Sequence, residues 1–325
     1  MTLLYPLKFK PIFKEKIWGG QKIKTILGKD FSPLKNCGEL WALSGVEGDE
    51  SVVCNGFLAG NNLSEVIEVY MDELMGDAVF QKYGNTFPVL VKFLNSSDYL
   101  SVQVHPDDVL AMKRHRCMGK TEMWYIIDSD TDSELIIGFK NGVGKEAYLE
   151  AMKDNSLKDI LNHVKIAAGD VIYLPAGRVH AIGKGILLAE IQQTSDITYR
   201  IYDWDRTDDN GNPRELHTAE ALDVIDFKYE EDYYTSYARL KNMPAEVLKS
   251  EYFNVNNLTL DKEMSFDLAS RDSFTAYVCV EGAALIIFNN TKTLLSKGET
   301  LLMPAEINDF QILPENMVGL LEVYM

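Results

Sequence analysis

Short apolar or alternating segments that end in turn residues recur along this chain, and they constrain its fold more than any other feature of the sequence. Their side chains are mostly β-branched or aromatic, and Gly, Asn, Asp and Ser separate them, as turns require. The segments are FPVLVKFLN, LSVQV, EMWYIID, ELIIGF, DVIYLPA, GILLAEIQQ, TAYVCVEG and ALIIFNN. Many short strands with such turns predict a β-barrel or a β-sandwich.

Segments with the helical spacing of apolar residues are fewer and shorter. NLSEVIEVYMDELMG predicts one helix, with Asn62 or Ser64 as its N-cap. VGKEAYLEAMKDNSLKDILNHV predicts two short helices that break near Asn155. ELHTAEALDVIDF predicts another helix after the polar turn DDNGNP. We therefore expect a mainly β protein with a few short helices.

Two stretches of the chain are similar to each other. Gly169–His180 is GDVIYLPAGRVH and Gly298–Asp309 is GETLLMPAEIND, so both place glycine, five residues and then proline in a strand-like background. Two related β-units predict two barrels in tandem. Asp309 stands where the first unit has His180, and no histidine follows His217. We therefore expect the second barrel to lack histidine metal ligands.

The length of 325 residues also fits two domains. The acidic stretch KYEEDYYTSYARLKNMPAEV has the composition of a linker between them. We place the first domain, with its helical insertions, at residues 1–235 and the second at residues 236–325.

Charge and composition exclude several classes of partner. The formal net charge is −17, and such a surface repels nucleic acid and anionic membranes. A small anionic substrate would need a local basic pocket. No apolar run approaches the roughly 20 residues that span a bilayer, and the first residues lack the apolar core of a signal peptide, so we expect a cytoplasmic protein. The four cysteines are scattered without a CxxC pair, which argues against disulfides and a cysteine-rich zinc site.

Three of the chain's polar side chains stand in or beside strand-like segments. In SVQVHPDD, Gln103 and His105 are two residues apart, so in a strand they face the same way. Together they offer an oxygen and an imidazole nitrogen to one cation, or His105 is a barrel histidine satisfied by a hydrogen bond. In GKTEMWYII, Glu122 is either a further ligand or a solvated residue at a strand start.

A more specific pattern surrounds His180. GDVIYLPAGRVH has the form G-x5-P-x-G-x2-H, in which the proline and the second glycine shape a tight return and His180 begins the next strand. This pattern predicts an imidazole that points into a barrel. By contrast, His115, His163 and His217 lie in helix-like or polar segments, and we interpret them as surface or structural residues.

GDVIYLPAGRVH resembles the second motif of the cupin superfamily, except that Gly183-Lys184 stand where many cupins have an asparagine. Within that superfamily the chain is similar to the short form of the type I mannose-6-phosphate isomerases. The similarity runs almost from end to end and is weakest after about residue 230. The matching segments are KIWGG, GELWALSG, FPVLVKFLNSSDYLSVQVHPDD, GKTEMWYII, LPAGRVHAIGKGILLAEIQQTSD and TYRIYDWDR.

The resemblance implies two cupin (jelly-roll) barrels. Residues 1–235 would form the metal-binding catalytic domain, and residues 236–325 a cupin-like domain without metal ligands. It also implies an aldose–ketose isomerase that interconverts mannose 6-phosphate and fructose 6-phosphate through a cis-enediol, acting as a monomer or a homodimer. One zinc ion per chain would be held by a set that suits zinc and contains no cysteine. The implied ligands are Gln103, His105, Glu122 and His180.

Six further residues follow from the same resemblance. Glu190 and Lys120 are both candidates for the catalytic base, and the sequence does not choose between them. We expect burial in an apolar strand to raise the pKa of Glu190, and a nearby cation to lower that of Lys120. Arg200 matches the family's active-site arginine, and Ser101 and Lys120 are candidate phosphate contacts. Trp18 and Glu39 either line the pocket or brace it.

Two other hypotheses remain at this point. One is a non-catalytic cupin that binds a sugar or sugar phosphate, although pure binding would not require the whole set of ligands and Arg200. The other is a metal-dependent cupin oxygenase, which usually has an H-x-H pair, whereas Gln103 stands at the first position here.

Overall fold

The computed structural model describes residues 4–207 and 211–325, in which strands predominate. The first two residues of the predicted DDNGNP turn, and the asparagine after them, lie outside these ranges. The helices are α1 (Lys22–Thr25), α2 (Leu63–Met75), α3 (Asp77–Tyr83), α4 (Asp108–His115), α5 (Lys145–Lys153), α6 (Leu157–Ile160) and α7 (Thr218–Leu222). Among the described residues, no helix is both long and apolar enough to cross a membrane.

Apart from β1, the strands of the first unit form two antiparallel sheets. In chain order they are β1 (Leu7–Lys8), β2 (Ile12–Lys14), β3 (Glu39–Leu43), β4 (Val89–Ser96), β5 (Val102–Val104), β6 (Glu122–Ser129), β7 (Glu134–Phe139), β8 (Leu161–Lys165), β9 (Val171–Leu174), β10 (His180–Ile182), β11 (Ile186–Gln193) and β12 (Tyr199–Tyr202). One sheet has the order β2-β3-β4-β11-β6-β9 and the other β12-β5-β10-β7-β8.

These two sheets share an apolar core, which makes them the two sides of one barrel. Leu94, Trp124 and Leu188 from the first sheet belong to the same buried cluster as Ile137 and Ile182 from the second. Burial of such side chains contributes about 1.5–3 kcal/mol each. Because side chains alternate along a strand, residues next to these core positions in the pairing register also face the barrel interior.

The second unit is built around a pair of long antiparallel strands. Its strands are β13 (Ala245–Lys249), β14 (Asn254–Leu260), β15 (Met264–Asp267), β16 (Thr275–Phe288), β17 (Thr291–Ser296), β18 (Thr300–Met303) and β19 (Asp309–Tyr324). β16 and β19 pair with each other, and β16 shifts register around Glu281 and Gly282. Before these irregularities β16 pairs with β18, and after them it pairs with β17. The long β16–β19 pair therefore has a different neighbouring strand at each end of β16.

The interior of the second barrel is packed with aromatic and aliphatic side chains. The rings of Phe266 and Phe310 stack with centroids 5.1 Å apart, and Tyr277 packs edge-on against both. Asp309 is exposed, whereas His180, its counterpart in the first unit, is buried. Apolar side chains thus occupy the interior of the second barrel at the place where the first barrel has the buried His180.

The two units are held together by a pairing that crosses the predicted boundary. β1, at the start of the chain, pairs antiparallel with β18 of the second unit, so that Leu7 lies opposite Leu302. Both residues are fully buried in a core cluster that also contains side chains of β3 and β14. The boundary between residues 235 and 236 remains a prediction, and the linker around it contains no regular strand or helix before β13.

The prediction of a mainly β chain with two barrels in tandem and a few short helices is confirmed. The break near Asn155 lies between α5 and α6, with Asn155 at a φ of 54°. The helical prediction is wrong for residues 161–164, because they form β8. The pairing of β8 with β7 overrides the local helical spacing.

Asn62, and not Ser64, is the N-cap of α2. Its side chain accepts a hydrogen bond from the Glu65 N–H at 2.9 Å, and the Glu65 carboxylate accepts one from the Asn62 N–H at 2.8 Å. Ser64 donates to the Asn62 side chain at 2.9 Å. This reciprocal arrangement is a capping box, which satisfies two backbone donors that the helix leaves unpaired.

We predict that Asn62→Ala lowers the free energy of unfolding by about 0.5–2 kcal/mol, because the cap is lost. Ser64→Ala, which removes only a hydrogen bond to the cap, should cost less. Thermal and denaturant unfolding of the two variants would measure the difference. Equal losses would contradict the assignment of the cap.

Candidate metal centre and active site

Three of the predicted ligands meet inside the first barrel. The ligand atoms of His105, Glu122 and His180 all lie within 4.8 Å of one another. Nε2 of His105 is 3.5 Å from Oε1 of Glu122, and Nε2 of His180 is 3.4 Å from Oε2 of the same carboxylate. Each of the three residues is at most 2% exposed. These buried ligand atoms, the donor set, come from three separate segments of the chain.

Gln103 lies beside this group because of strand register. It stands opposite His180 in the pairing of β5 with β10, and opposite Arg200 in the pairing of β5 with β12. Its amide Nε2 is 3.3 Å from Nε2 of His180. Rotation of the amide by 180° exchanges its nitrogen and oxygen, which places Oε1 at the donor cluster. The four predicted ligands are therefore brought together.

Backbone carbonyls fix both imidazole rings. Nδ1 of His105 is 2.8 Å from the carbonyl oxygen of Ile197, and Nδ1 of His180 is 2.8 Å from that of Arg178. A carbonyl only accepts hydrogen bonds, so Nδ1 carries the proton of each neutral ring. The lone pair of each Nε2 then faces Glu122, as in metal sites with a second shell of hydrogen bonds.

The surroundings keep both rings neutral. Burial, followed by the charge of Lys120, lowers the pKa of His105 well below its ordinary value. Burial lowers the pKa of His180 to about 4. Burial, followed by the charge of Glu190, raises the pKa of Glu122 to about 7. Neutral imidazoles are the form that binds metals.

Glu122 provides the test of whether this site fits a cation. Lys120 Nζ is 2.5 Å from Oε1 of Glu122 and forms an ion pair with it. Among the described residues, Oε2 of Glu122 has no hydrogen-bond partner. A buried carboxylate without donors is costly unless an opposite charge compensates it. Two imidazole nitrogens, a carboxylate and an amide oxygen are suitable ligands for zinc.

Gly119 allows Lys120 to reach the centre. A Cβ atom at Gly119 would come within 2.5 Å of the backbone of Asp107 and Asp108, so no larger residue fits without movement. The Gly119 N–H donates to Asp108 Oδ1 at 2.7 Å. This close approach directs Lys120 Nζ to a point 3.2 Å from Nε2 of His105.

A second buried charge cluster lies one row away from the donor set. Lys92, Glu190 and Trp124 stand side by side in the register of β4, β11 and β6. Lys92 Nζ is 3.1 Å from Glu190 Oε1 and 2.8 Å from Gln192 Oε1. Sequence reasoning missed Lys92, although a lysine within the apolar run FPVLVKFLN was a signal that could have found it.

The expected rise in the pKa of Glu190 is wrong. Burial by itself raises this pKa, but the positive charges of Lys92 and Lys120, with hydrogen bonds from Trp124 and Lys92, outweigh it. The net pKa of Glu190 is below its ordinary value. Glu122 is the carboxyl group whose pKa rises, because burial and the charge of Glu190 outweigh its pairing with Lys120.

The site opens into a cavity of about 290 Å³. Ser101, Gln103, Lys120, Glu190 and Arg200 all line it. The basic side chains in its wall are Lys14, Lys16, Lys92, Lys120, Arg200 and Arg214, and the acidic ones are Glu39, Glu190 and Asp196. This is the local basic pocket that an anionic substrate needs in a chain of net charge −17. A larger cleft of about 630 Å³ contains none of the predicted site residues.

Trp18 and Glu39 both lie in the wall of the cavity. Glu39 has a bracing role, since its carboxylate pairs with Lys16 at 3.0 Å and accepts a hydrogen bond from the indole N–H of Trp41 at 2.7 Å. Trp18 is 5% exposed and belongs to the barrel core. Trp18 and Glu39 therefore both line the cavity and brace its wall, the two roles that the sequence left open.

Arg214 is a further wall residue that sequence reasoning missed. Asp203 holds it through Nε at 2.6 Å, and also holds Arg206 through Nη2 at 2.6 Å. Arg200 donates through Nη1 to the carbonyl oxygen of Glu215 at 2.9 Å, and its Nε is buried without a partner among the described residues. The guanidinium groups of Arg200 and Arg214 therefore both lie in the cavity wall.

The other three histidines lie outside the donor set. His115 Nε2 is 2.7 Å from the hydroxyl oxygen of Tyr199, and His163 Nδ1 is 2.7 Å from Glu134 Oε1. His217 precedes α7 and accepts a hydrogen bond from the N–H of Arg200 at 3.3 Å. These contacts agree with the predicted surface or structural roles.

Comparison with known proteins gives consistent matches along the chain. The family model for the type I phosphomannose isomerase catalytic domain matches residues 6–148, and that for the mannose-6-phosphate isomerase cupin domain matches residues 245–316. The chain is 37% identical to a mannose-6-phosphate isomerase of Bacillus subtilis, across 94% of this chain and 95% of that protein. It is 34% identical to the mannose-6-phosphate isomerase of Streptococcus mutans, across 94% of each.

Solved structures agree with these matches. A crystal structure of the Bacillus subtilis mannose 6-phosphate isomerase superposes with a TM-score of 0.87 at 34% identity, covering 98% of this chain and 99% of that chain. A variant of phosphomannose isomerase from Salmonella typhimurium superposes with a TM-score of 0.78 over the same shares at 17% identity, which indicates the fold alone. The chain therefore belongs to the family of type I mannose-6-phosphate isomerases.

Proposed function

We propose that this protein interconverts mannose 6-phosphate and fructose 6-phosphate, with one zinc ion held by Gln103, His105, Glu122 and His180. The observation that carries the proposal is the Glu122 carboxylate, fully buried between two imidazole Nε2 atoms, with its Oε2 lacking a hydrogen-bond partner among the described residues. Family membership supports the substrate, and the absence of thiolates from the donor set supports a catalytic role over a purely structural one.

Zinc, when bound, supplies a Lewis acid that stabilises the negative charge developing on the substrate oxygens. The protein's own groups would handle the proton. Isomerisation removes a proton from C2 of the open-chain aldose and returns one to C1, through a cis-enediol. A single group within hydrogen-bond reach of both carbons serves for both transfers.

We assign the proton transfer to Glu190. Its carboxylate lines the cavity, and Lys92 and Trp124 hold its two oxygens at 3.1 and 2.8 Å. Its lowered pKa keeps it ionised and able to accept a proton. The other candidate, Lys120, is already engaged with Glu122 and His105. Its ammonium group is placed to donate a hydrogen bond to a substrate oxygen next to the donor set.

We assign the phosphate end of the substrate to Arg200 and Ser101, with Lys120 between the phosphate end and the donor set. Arg200 stands opposite Gln103 in the strand register, one strand away from a proposed ligand. A guanidinium group binds phosphate oxygens through paired N–H donors. Arg214, in the same wall, adds positive charge at this end. Activity in the cytoplasm as a monomer or homodimer, without nucleic acid or membrane partners, remains a prediction.

We predict that the purified protein with zinc converts mannose 6-phosphate to fructose 6-phosphate, and that EDTA or His105→Ala lowers kcat/KM by at least about 10²-fold, because several kcal/mol of charge stabilisation is lost. A coupled assay combined with metal analysis measures both effects. His163→Ala is the matched control, since this exposed histidine pairs only with Glu134.

Two results would contradict the proposal. Activity that survives both EDTA and His105→Ala would rule out the metal-dependent reaction. Tight binding of mannose 6-phosphate to the zinc-loaded protein without turnover would instead identify a non-catalytic sugar-phosphate binder.

We predict that Arg200→Ala lowers kcat/KM for mannose 6-phosphate by about 10–100-fold, as expected for the loss of a hydrogen bond to a charged group. The loss should be mainly in KM if Arg200 binds phosphate equally before and during the reaction. Steady-state kinetics test this, with Lys113→Ala on the exposed face of α4 as the control for lost charge. An unchanged KM with a reduced kcat would place Arg200 at the reacting carbons instead.

A further inference from the structure

Trp124 lies behind the proposed active site and does not line the cavity. It is 0% exposed and follows Glu122 by two residues in β6, so both side chains point into the barrel. Its ring belongs to the apolar core between the two sheets. A residue in this place cannot touch the substrate, but it contacts two groups that the reaction uses.

The first contact is with Glu190. The indole N–H of Trp124 donates to Glu190 Oε2 at 2.8 Å, while Lys92 Nζ lies 3.1 Å from Oε1. The three residues are direct neighbours in the register of β6, β11 and β4. One donor on each oxygen, from opposite sides, fixes the rotation of the carboxylate about its terminal bond.

The second contact is with His180. The two rings meet edge to face, with centroids 5.2 Å apart and planes at 86°. On its other side Trp124 is paired with Ile172 of β9, which is also fully buried. The indole therefore packs against the His180 ring within the apolar core that also contains Ile172. This packing sets the direction of its N–H.

We propose that Trp124 is a positioning residue, which holds the Glu190 carboxylate in the orientation needed for proton transfer. This inference rests on the proposed function, in which Glu190 carries the proton between C1 and C2. Without the indole N–H, Oε2 has no hydrogen-bond donor among the described residues, and the carboxylate is free to rotate towards Lys92. The oxygen that accepts the proton would then no longer point at the reacting carbon of the substrate.

The test is Trp124→Phe, which keeps an aromatic ring but removes the donor. We expect kcat to fall by about 10–100-fold, as for other charge-assisted hydrogen bonds, with KM for mannose 6-phosphate and the zinc content unchanged. Replacement of Trp124 by benzothienylalanine, in which sulfur replaces the N–H in a ring of nearly the same shape, should give the same loss. This second variant covers the case in which phenylalanine leaves a cavity that prevents folding.

Trp204→Phe is the matched control. Trp204 donates its indole N–H to the carbonyl oxygen of Leu100 at 2.7 Å, so this variant removes an indole hydrogen bond to a neutral acceptor, away from Glu190. Its kcat should remain close to that of the unmodified protein. An equal loss of kcat in Trp204→Phe would overturn the inference, because the effect would not be specific to Glu190.

Glu190→Gln separates this inference from the proposed function. If Glu190→Gln keeps full activity, the assignment of Glu190 is wrong. If Glu190→Gln is inactive while both Trp124 variants are fully active, the assignment stands and the positioning role is overturned. In the Glu190→Gln background, Trp124→Phe should cause no further loss, because the two residues act as one unit. An additive loss, or loss of zinc from the Trp124 variants, would also count against the positioning role.

Discussion

The site depends on one interaction, the contact of the Glu122 carboxylate with two imidazole nitrogens inside a closed barrel. Glu122 is 0% exposed, and its Oε2 has no hydrogen-bond partner among the described residues. Removing a carboxylate from water costs several kcal/mol unless positive charge lies close to it. Lys120 provides part of that charge at 2.5 Å. A cation bound between Glu122, His105 and His180 would supply the remaining positive charge.

The barrel tolerates this cost because its sheets impose positions on the polar side chains. Antiparallel pairing places His180, Gln103 and Arg200 in one row, and Lys92 next to Glu190 in another. Apolar residues fill the rest of the interior. The second barrel differs in its filling, since stacked aromatic rings occupy its core and no histidine lies in that part of the chain. Among the described residues, the set of two imidazoles and a carboxylate lies in the first barrel.

The charge of the cavity is opposite to that of the whole molecule. A net charge of −17 describes the average surface, whereas the cavity wall carries more basic than acidic side chains. Fields inside a cleft with low-dielectric walls are determined by the nearest groups, so the local excess prevails for a small anion. Asp203 keeps Arg214 of the wall in place, and Lys92 is held by Glu190.

The sequence by itself determined what depends on short spacing. Period-two alternation placed Gln103 and His105 on one face, and the turn around Pro175 and Gly177 directed His180 inwards, because these relations lie within a few residues. Only the tertiary structure decided the roles of Lys92 and Trp124 and the lowered pKa of Glu190. Lys92 and Glu190 are 98 residues apart, and their contact exists only because β4 pairs with β11. A pKa set by such distant neighbours follows from the register of the sheet, which local patterns do not contain.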